Sequence, residues 1–419
     1  MKINPPLLAA AEEALGRVLT MTQPADAVLS SYFRAHRELG QHDRAFIAET
    51  IFGVLRRRYG LEYHIAATTP RRLLLAYLNR VHGVSLRQLE PLLGRDDALW
   101  AAALKSTRDG APLPLYVAAE LPPWLTAMLA AEMPEAEILA LGRALAQPAL
   151  LDLRVNALLT TREKVLQQLV IEGINARQTP HAPFGIRLDG NPALSRNPLF
   201  TSGRIEVQDE GSQLLCLLLA PKRREMVVDF CAGAGGKTLA LGALMQSQGR
   251  LYAFDVSEAR LNKFKPRLKR SGLSNVHPQL LANENDIKVK RLAGKIDRVL
   301  VDAPCSGFGT LRRNPDLKWR QSEAGIAELA AKQRAILSAA AALLKPGGRL
   351  VYATCSFLRV ENQDIVAAFL AAHPQFGLVP ANQVLEQQRI ALDTGEFLQL
   401  YPQHHGCDGF FAAVMARAK

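Results

Sequence analysis

Residues 226–238 read Met226-Val-Val-Asp-Phe-Cys-Ala-Gly-Ala-Gly-Gly-Lys-Thr238. An apolar run, a glycine-rich turn and a helix-forming stretch follow one another, the element order of a nucleotide-cofactor loop. Gly233, Gly235 and Gly236 let the backbone approach a ligand closely. A P-loop would need glycine at Cys231 and a dinucleotide fingerprint would need it at Thr238, so both patterns fail. What remains is a loop, Cys231-Ala232-Gly233-Ala234-Gly235-Gly236-Lys237, suited to the polar part of an adenosyl cofactor. Asp255 ends the run Leu251-Tyr-Ala-Phe, 20 residues past Gly235. An acid there is placed to bond both ribose hydroxyls. Its other reading is the N-cap of a helix from Glu258, with Glu258 completing a capping box.

Outward from this loop, strand-like and helix-like runs alternate. Strands are predicted at Gly249–Asp255, Asn275–Leu280, Arg298–Asp302, Arg349–Thr354 and Phe410–Ala416, the last as an edge strand. Helices are predicted at Thr238–Met245, Glu258–Ser271 and Glu323–Leu344. Such alternation argues for a parallel sheet with helices on both faces.

Two of these strands run into cysteine motifs. Cys305 lies in Asp302-Ala-Pro-Cys-Ser-Gly-Phe-Gly-Thr310, and Cys355 in Tyr352-Ala-Thr-Cys-Ser-Phe357. The carboxyl ends of parallel strands form the ligand crevice, so both thiols are expected on one rim. Two thiols beside a cofactor loop point to covalent chemistry on a pyrimidine. Carbon 5 of cytosine is too weak a nucleophile to take a methyl group from a sulfonium. A thiolate adding to carbon 6 creates an enamine and activates carbon 5, and a second acid–base group is then needed for release. From the residues alone either thiol can be the nucleophile. Asp302 is placed to hydrogen-bond the ring nitrogen or exocyclic amine of the base, or else to cap Ser306. Lys237 reaches over the cofactor loop, where its charge lowers a nearby thiol pKa or binds a carboxylate.

The N-terminal part, to about Gln147, carries helical spacing at Pro5–Leu19 and Asp43–Leu55, where Phe46, Ile47, Ile51 and Val54 share a face. Arg56, Arg57 and Arg58 are expected to close that second helix. Gly110–Pro114 reads as a loop, and Pro122–Pro123 as a helix start. From Leu151 the pattern becomes mixed: a strand, a helix capped by Thr161 and a Pro- and Gly-rich stretch from His181 to Pro198. This describes a small α/β segment ending near Gly203. The division is thus 1–147 helical, 148–203 small α/β and 204–419 α/β.

The chain has 419 residues and a formal charge of +12, which favours a polyanionic partner. Five cysteines without a CxxC pair indicate a reduced, cytoplasmic protein rather than a disulfide framework. No signal-peptide pattern opens the sequence, and no apolar run is long enough to span a bilayer.

As a set, DFCAGAGGKT, Asp255, Asp302–Trp319 and Ala353–Asn362 resemble the RNA cytosine-5 methyltransferases of the Sun/Fmu family. Weaker likeness extends to the segments RVNALLTTREKV and FTSGRIEVQDEGSQL. His42–Ile65 is similar to the helical RNA-binding domain shared with the antitermination factor NusB. The resemblance implies a multidomain fold: an all-α NusB-like domain, a small α/β middle domain and a Rossmann-like methyltransferase domain. It implies S-adenosylmethionine as cofactor and small-subunit ribosomal RNA, naked or assembling, as substrate of a monomer. It assigns Cys355 as nucleophile, Cys305 as the residue assisting release, and Lys237 to the active site. Two departures stand out. Ala234 replaces the usual loop proline. Asn283 replaces an acid expected against the adenine, with Asp286 three residues late.

Cys216 and Cys231 read as packing residues, and His404, His405 and Cys407 lack the partners of a metal site, so no metal is expected. Arg312, Arg313, Lys318 and Arg320 read as phosphate contacts, while Arg56–Arg58 and Lys263–Arg270 read equally well as solvated faces. Methylation of an exocyclic amine is disfavoured because Ala303-Pro-Cys-Ser stands where a Pro-Pro-aromatic motif belongs. The alternatives are cytosine-5 methylation of another structured RNA such as tRNA, or a non-catalytic RNA-binding assembly factor. The two intact cysteine motifs argue against the second.

Overall fold

A computed structural model describes residues 3–65, 68–94, 97, 100 and 112–419. The expected loop at Gly110–Pro114 begins outside them. The chain divides into two compact units, one of Met1–Pro148 with Thr310–Glu323, the other of Ala149–Gly309 with Ala324–Lys419.

The first unit is helical. Its longer helices are Pro5–Val18, Ala25–Ala35, Gln41–His64, Pro123–Ala130 and Glu135–Leu145. Asn4 caps the first by accepting from Leu7 N–H, with Pro5 in the first turn, where its missing donor costs nothing. Leu8, Leu15, Ile47, Ile51, Val54 and Leu55 are buried together. Their spacing on two helices is the amphipathic stripe read from the sequence. Arg56–Arg58 do not close their helix, which runs on to His64. Arg56 and Arg58 hold the second segment of this unit, as described below.

The second unit holds two sheets. The smaller has four strands, β1 (Leu151–Val155), β2 (Ala176–Gln178), β3 (Gly185–Leu188) and β4 (Ile205–Val207), in the order β2-β3-β1-β4 and all antiparallel. β4 lies beyond Gly203, so this layer outlasts its sequence boundary. Val165 and Leu169 of the Arg162–Ile171 helix cover one face, packing on Leu153, Val155, Ile186 and Ile205.

The larger sheet contains β5 (Met226–Asp229), β6 (Arg250–Asp255), β7 (Val276–Leu280), β8 (Ile296–Asp302), β9 (Leu344–Thr354), β10 (Phe376–Val379), β11 (Leu398–Leu400) and β12 (Phe410–Arg417). Its order is β10-β12-β9-β8-β5-β6-β7, with β11 also on β12. β9, β8, β5, β6 and β7 are parallel, and the β12 pairings are antiparallel. The expected edge position of β12 is therefore corrected: it lies inside the sheet, covered by the short strands β10 and β11, too brief to carry a period. The Glu323–Ala341 helix stops three residues before Leu344, which starts β9 and pairs with Ile296 of β8 instead of ending the helix. The strand order reverses at β5, between β6 and β8, so the crevice opens at the carboxyl ends of those strands. No helix among the described residues is long and apolar enough to cross a membrane.

Candidate active site

The glycine loop leaves β5 and enters the helix Gly236–Leu244. Gly233 and Gly235 have φ of 57° and 81°, the left-handed region open to glycine. A Cβ on Gly235 would stand 1.9 Å from the Phe264 ring, whereas one on Gly233 would meet nothing within 4 Å. Gly235 thus closes the loop against its neighbouring helix, and Gly233 borders open space.

Asp255, at the end of β6, organises the loop. Its Oδ2 accepts from Gly233 N–H at 2.8 Å and its Oδ1 from Ser257 N–H at 2.7 Å. Each oxygen keeps a lone pair for a hydroxyl. The helix N-cap is Ser257, which accepts from Arg260 N–H, and not Asp255. Val256, the next residue, is 57% exposed beside this carboxylate. Beyond β7, Asn283 Oδ1 accepts from Asn285 N–H, and Asp286 is spent on Ala282 and Lys288 N–H groups. Asp286 is thereby a turn and helix cap, and exposed Asn283 is the polar side chain at the expected position.

Two arginines unmarked in the sequence hold the loop from behind. Arg267 Nη1 donates to Ala234 O at 2.7 Å, and Arg154 Nη1 donates to Gly236 O and Gln208 Oε1, both at 2.6 Å. Glu206 binds Arg267 and Arg270. Arg154 is buried, and that burial lowers its pKa to about 10. Only the 263–270 basic run hinted at this role. Arg154 reads as an ordinary strand residue.

At the end of β8, Asp302 Oδ2 receives Lys237 Nζ at 2.7 Å, while Ser306 N–H donates to Glu361 Oε1 at 2.8 Å. Burial disfavours the Lys237 charge, but Asp302 beside it outweighs that and holds the ammonium above its ordinary pKa. Asp302 pairs with Ala353 across β8 and β9. That register brings the two cysteine loops together, and Cys305 Sγ lies 3.4 Å from Cys355 Sγ. The hydrogen bond to Cys355, then burial, push the Cys305 thiol well above its ordinary pKa. Lys237 also feels the charge of Cys355. Burial likewise keeps Cys231 a thiol, within the hydrophobic core beneath the loop.

The phosphate-contact reading of the segment after Cys305 is overturned for two residues, Arg312 and Lys318. Lys318 is buried, and its Nζ donates to the carbonyls of Arg56 at 3.0 Å and Glu120 at 2.8 Å. Arg312 is buried and its carbonyl accepts from Arg56 Nη2. Arg320 pairs with Asp316. Trp319 stacks on Tyr59 at 4.2 Å with Arg58 over its face. Lys318 and Arg56 fasten a chain segment within the helical unit, whereas Arg320 stays exposed.

A sheet that reverses at β5, with a glycine loop after that strand and an acid ending β6, defines a Rossmann-like methyltransferase core. Residues 216–416 match the family described as 16S rRNA methyltransferase RsmB/F, and residues 121–195 match the ferredoxin-like domain of RsmF/B-like methyltransferases. The probable ribosomal RNA small subunit methyltransferase B of Synechocystis is 33% identical over 91% of this chain and 92% of its own length. The ribosomal RNA small subunit methyltransferase B of Pectobacterium carotovorum is 32% identical over 100% of both chains. Among solved structures, PH0851 is 27% identical with a TM-score of 0.80 over 100% of both chains. NSun6 from Pyrococcus horikoshii with SFG shares the fold, at 22% identity and a TM-score of 0.63 over 71% of this chain and 98% of that one. The chain belongs to the RsmB/F family of 16S rRNA methyltransferases.

Proposed function

We propose that this enzyme methylates carbon 5 of a cytosine in 16S ribosomal RNA, with S-adenosylmethionine as donor and a covalent bond between Cys355 and carbon 6 of the base. The observation that carries the reading is the pair of thiols 3.4 Å apart at the ends of adjacent parallel strands. A second thiol within hydrogen-bond reach of a nucleophilic one is what adduct formation and release together require.

The loop residues fit the donor. Gly233 borders open space, Asp255 has lone pairs for ribose hydroxyls, and Val256 offers an apolar face beside them. Cys231 to Lys237 line this region, and Asn283 stands where the adenine amine is expected. When bound, the donor supplies an electrophilic methyl group. The chain's own residues supply the rest. The Lys237 ammonium orients Asp302 through their ion pair. Asp302 bonds the polar edge of the base. The Cys355 thiolate adds to carbon 6, placing the electron pair on carbon 5 for methylation. Loss of the carbon 5 proton to a base then expels the thiolate. Cys305 assists this release. The helical unit acts as a NusB-like RNA-binding domain.

Adduct trapping tests the reading. Cys305→Ala should form a band that migrates as protein joined to cytosine-containing RNA on a denaturing gel, and Cys355→Ala should form none. The reverse pattern would make Cys305 the nucleophile. Two mutants that turn over normally and trap nothing would end the covalent mechanism.

A further inference from the structure

Behind the thiols lies a buried carboxylate to which no catalytic role falls in the mechanism above. Glu361 is fully buried. Its Oε2 accepts from the hydroxyls of Ser306 and Ser356, each at 2.6 Å. Its Oε1 accepts from Ser306 N–H at 2.8 Å and Gln333 Nε2 at 3.0 Å. Four donors on two oxygens suit an ionised carboxylate, which only accepts. Ser306 follows Cys305 and Ser356 follows Cys355, so one side chain ties both cysteine loops. Gln333 extends the tie by donating to Pro304 O at 2.9 Å, on the other side of Cys305. Tyr352 Oη fixes Glu361 itself, donating to its carbonyl at 2.6 Å. Asn362 adds a bond from Nδ2 to Ser356 O at 3.0 Å and accepts from Thr354 Oγ1.

We infer that Glu361 is a positioning residue that sets the roles of the two thiols: it holds the Cys305 and Cys355 loops in register, with Cys305 Sγ opposite Cys355 Sγ. The assignment rests on the covalent reading proposed above and names the group that makes it asymmetric. The asymmetry is electrostatic as well as geometric. Glu361 meets hydroxyl and amide donors rather than a cation, so its negative charge reaches the nearby sulfur. The charge of Glu361 is among the causes that raise the Cys305 pKa, after the Cys355 hydrogen bond, burial and the Cys355 charge, while Gly307 N–H opposes them. Tyr352 is the other titratable group acting with Cys305, and its own pKa is raised by burial first. Lys237, paired with Asp302, acts on Cys355. The carboxylate thus acts on the Cys305 side of the pair. A thiol that carries its proton can give it to the Cys355 sulfur as the carbon 6–sulfur bond breaks, a role in release and not in attack, while a separate base takes the carbon 5 proton.

The test is the pH dependence of alkylation, read separately at Cys305 and Cys355 by peptide mass spectrometry of the full chain with iodoacetamide. Cys305 is expected to react only at higher pH than Cys355. Glu361→Gln keeps the length and removes the charge, with its amide NH2 facing the two serine hydroxyls, which can turn to accept, and should lower the Cys305 midpoint by roughly one pH unit. Glu361→Asp keeps the charge and shortens the tie. It should leave the Cys305 midpoint high while lowering kcat with little change in KM for RNA. An unmoved Cys305 midpoint in folded Glu361→Gln overturns the inference. If that variant does not fold, the wild-type order decides, and Cys305 reacting at the lower pH overturns it. The covalent reading fails separately, through the RNA-trapping experiment, which needs no Glu361 variant.

Discussion

Glu120 and Lys318 take the two ends of a single helical hydrogen-bond position. In an undisturbed Gln41–His64 helix, Gly60 N–H would point at Arg56 O. Here Gly60 N–H donates to Glu120 Oε1 at 2.9 Å, Tyr59 N–H to Glu120 Oε2 at 3.0 Å, and Arg56 O accepts from Lys318 Nζ at 3.0 Å. A Cβ on Gly60 would stand 2.6 Å from Glu120 Oε1, which explains the glycine inside this helix. The pair thereby joins Thr310–Glu323, the chain just past the Cys305 loop, to the helical unit that it belongs to.

Removing the cation should therefore damage folding, not phosphate binding. Lys318→Met strands the Glu120 carboxylate in a buried site, and loss of one member of a buried pair costs about 3–5 kcal/mol. The expected result is a lowered Tm for the helical unit in calorimetry, with Glu120→Gln in the same chain recovering part of it. The dependence of RNA affinity on salt should keep its slope. A normal Tm with a flattened slope would return Lys318 to the phosphate contacts.

Asp255→Ala removes both the ribose acceptor and the bonds to Gly233 and Ser257 N–H groups. S-adenosylmethionine affinity should fall by about tenfold or more, the loss of one or two charge-assisted bonds. Unchanged affinity by calorimetry would remove Asp255 from the cofactor site.

Arg267 supplies from a neighbouring helix the loop stiffness that Ala234 forgoes. Arg267→Met should weaken S-adenosylmethionine binding by about tenfold, the loss of one bond to a charged donor. Adding Ala234→Pro should recover part of it, because proline restricts the loop through its own ring. Equal affinity in wild type and Arg267→Met would leave Arg267 a helix-packing residue.

The sequence and the structure part company where long-range pairing decides. Val227, Val228 and the glycines after them carried enough local signal to place the loop, and the alternation of strands placed Cys305 and Cys355 on one rim. The internal place of β12 was not legible, because β10 and β11 span four and three residues and carry no readable period. The roles of Arg154, Arg267 and Glu361 were not legible for a different reason, although Arg267 lay in the basic run 263–270 and Glu361 in the motif 353–362. Each acts through partners 82, 33 and 55 residues away in sequence, and no local pattern marks such a bond. Lys318 was misread because a run of cations after a catalytic motif looks the same whether it faces phosphate or a buried carbonyl.

Asp229, at the end of β5, gives the stability of the protein a pH dependence of its own. It is fully buried, its Oδ2 accepts from Thr238 Oγ1 at 2.7 Å, and its Oδ1 has no hydrogen-bond partner among the described residues. Burial pushes its pKa from 3.8 up to about 7; the Thr238 bond and Lys237 oppose the shift, and Asp302 and Asp255 reinforce it. Between those two values the folded chain keeps a proton that the unfolded chain has released. Stability therefore falls as pH rises through that window and levels off above it. Asp229→Asn cannot titrate, so its stability should fall less over the same range. Between about pH 5 and about pH 7.5 the difference between the two proteins should move in favour of the variant by about 2.5 kcal/mol, with other titrating groups cancelling. Urea unfolding followed by circular dichroism at about pH 5 and about pH 7.5 reads this difference. Parallel pH profiles for wild type and Asp229→Asn would show that Asp229 is ionised throughout.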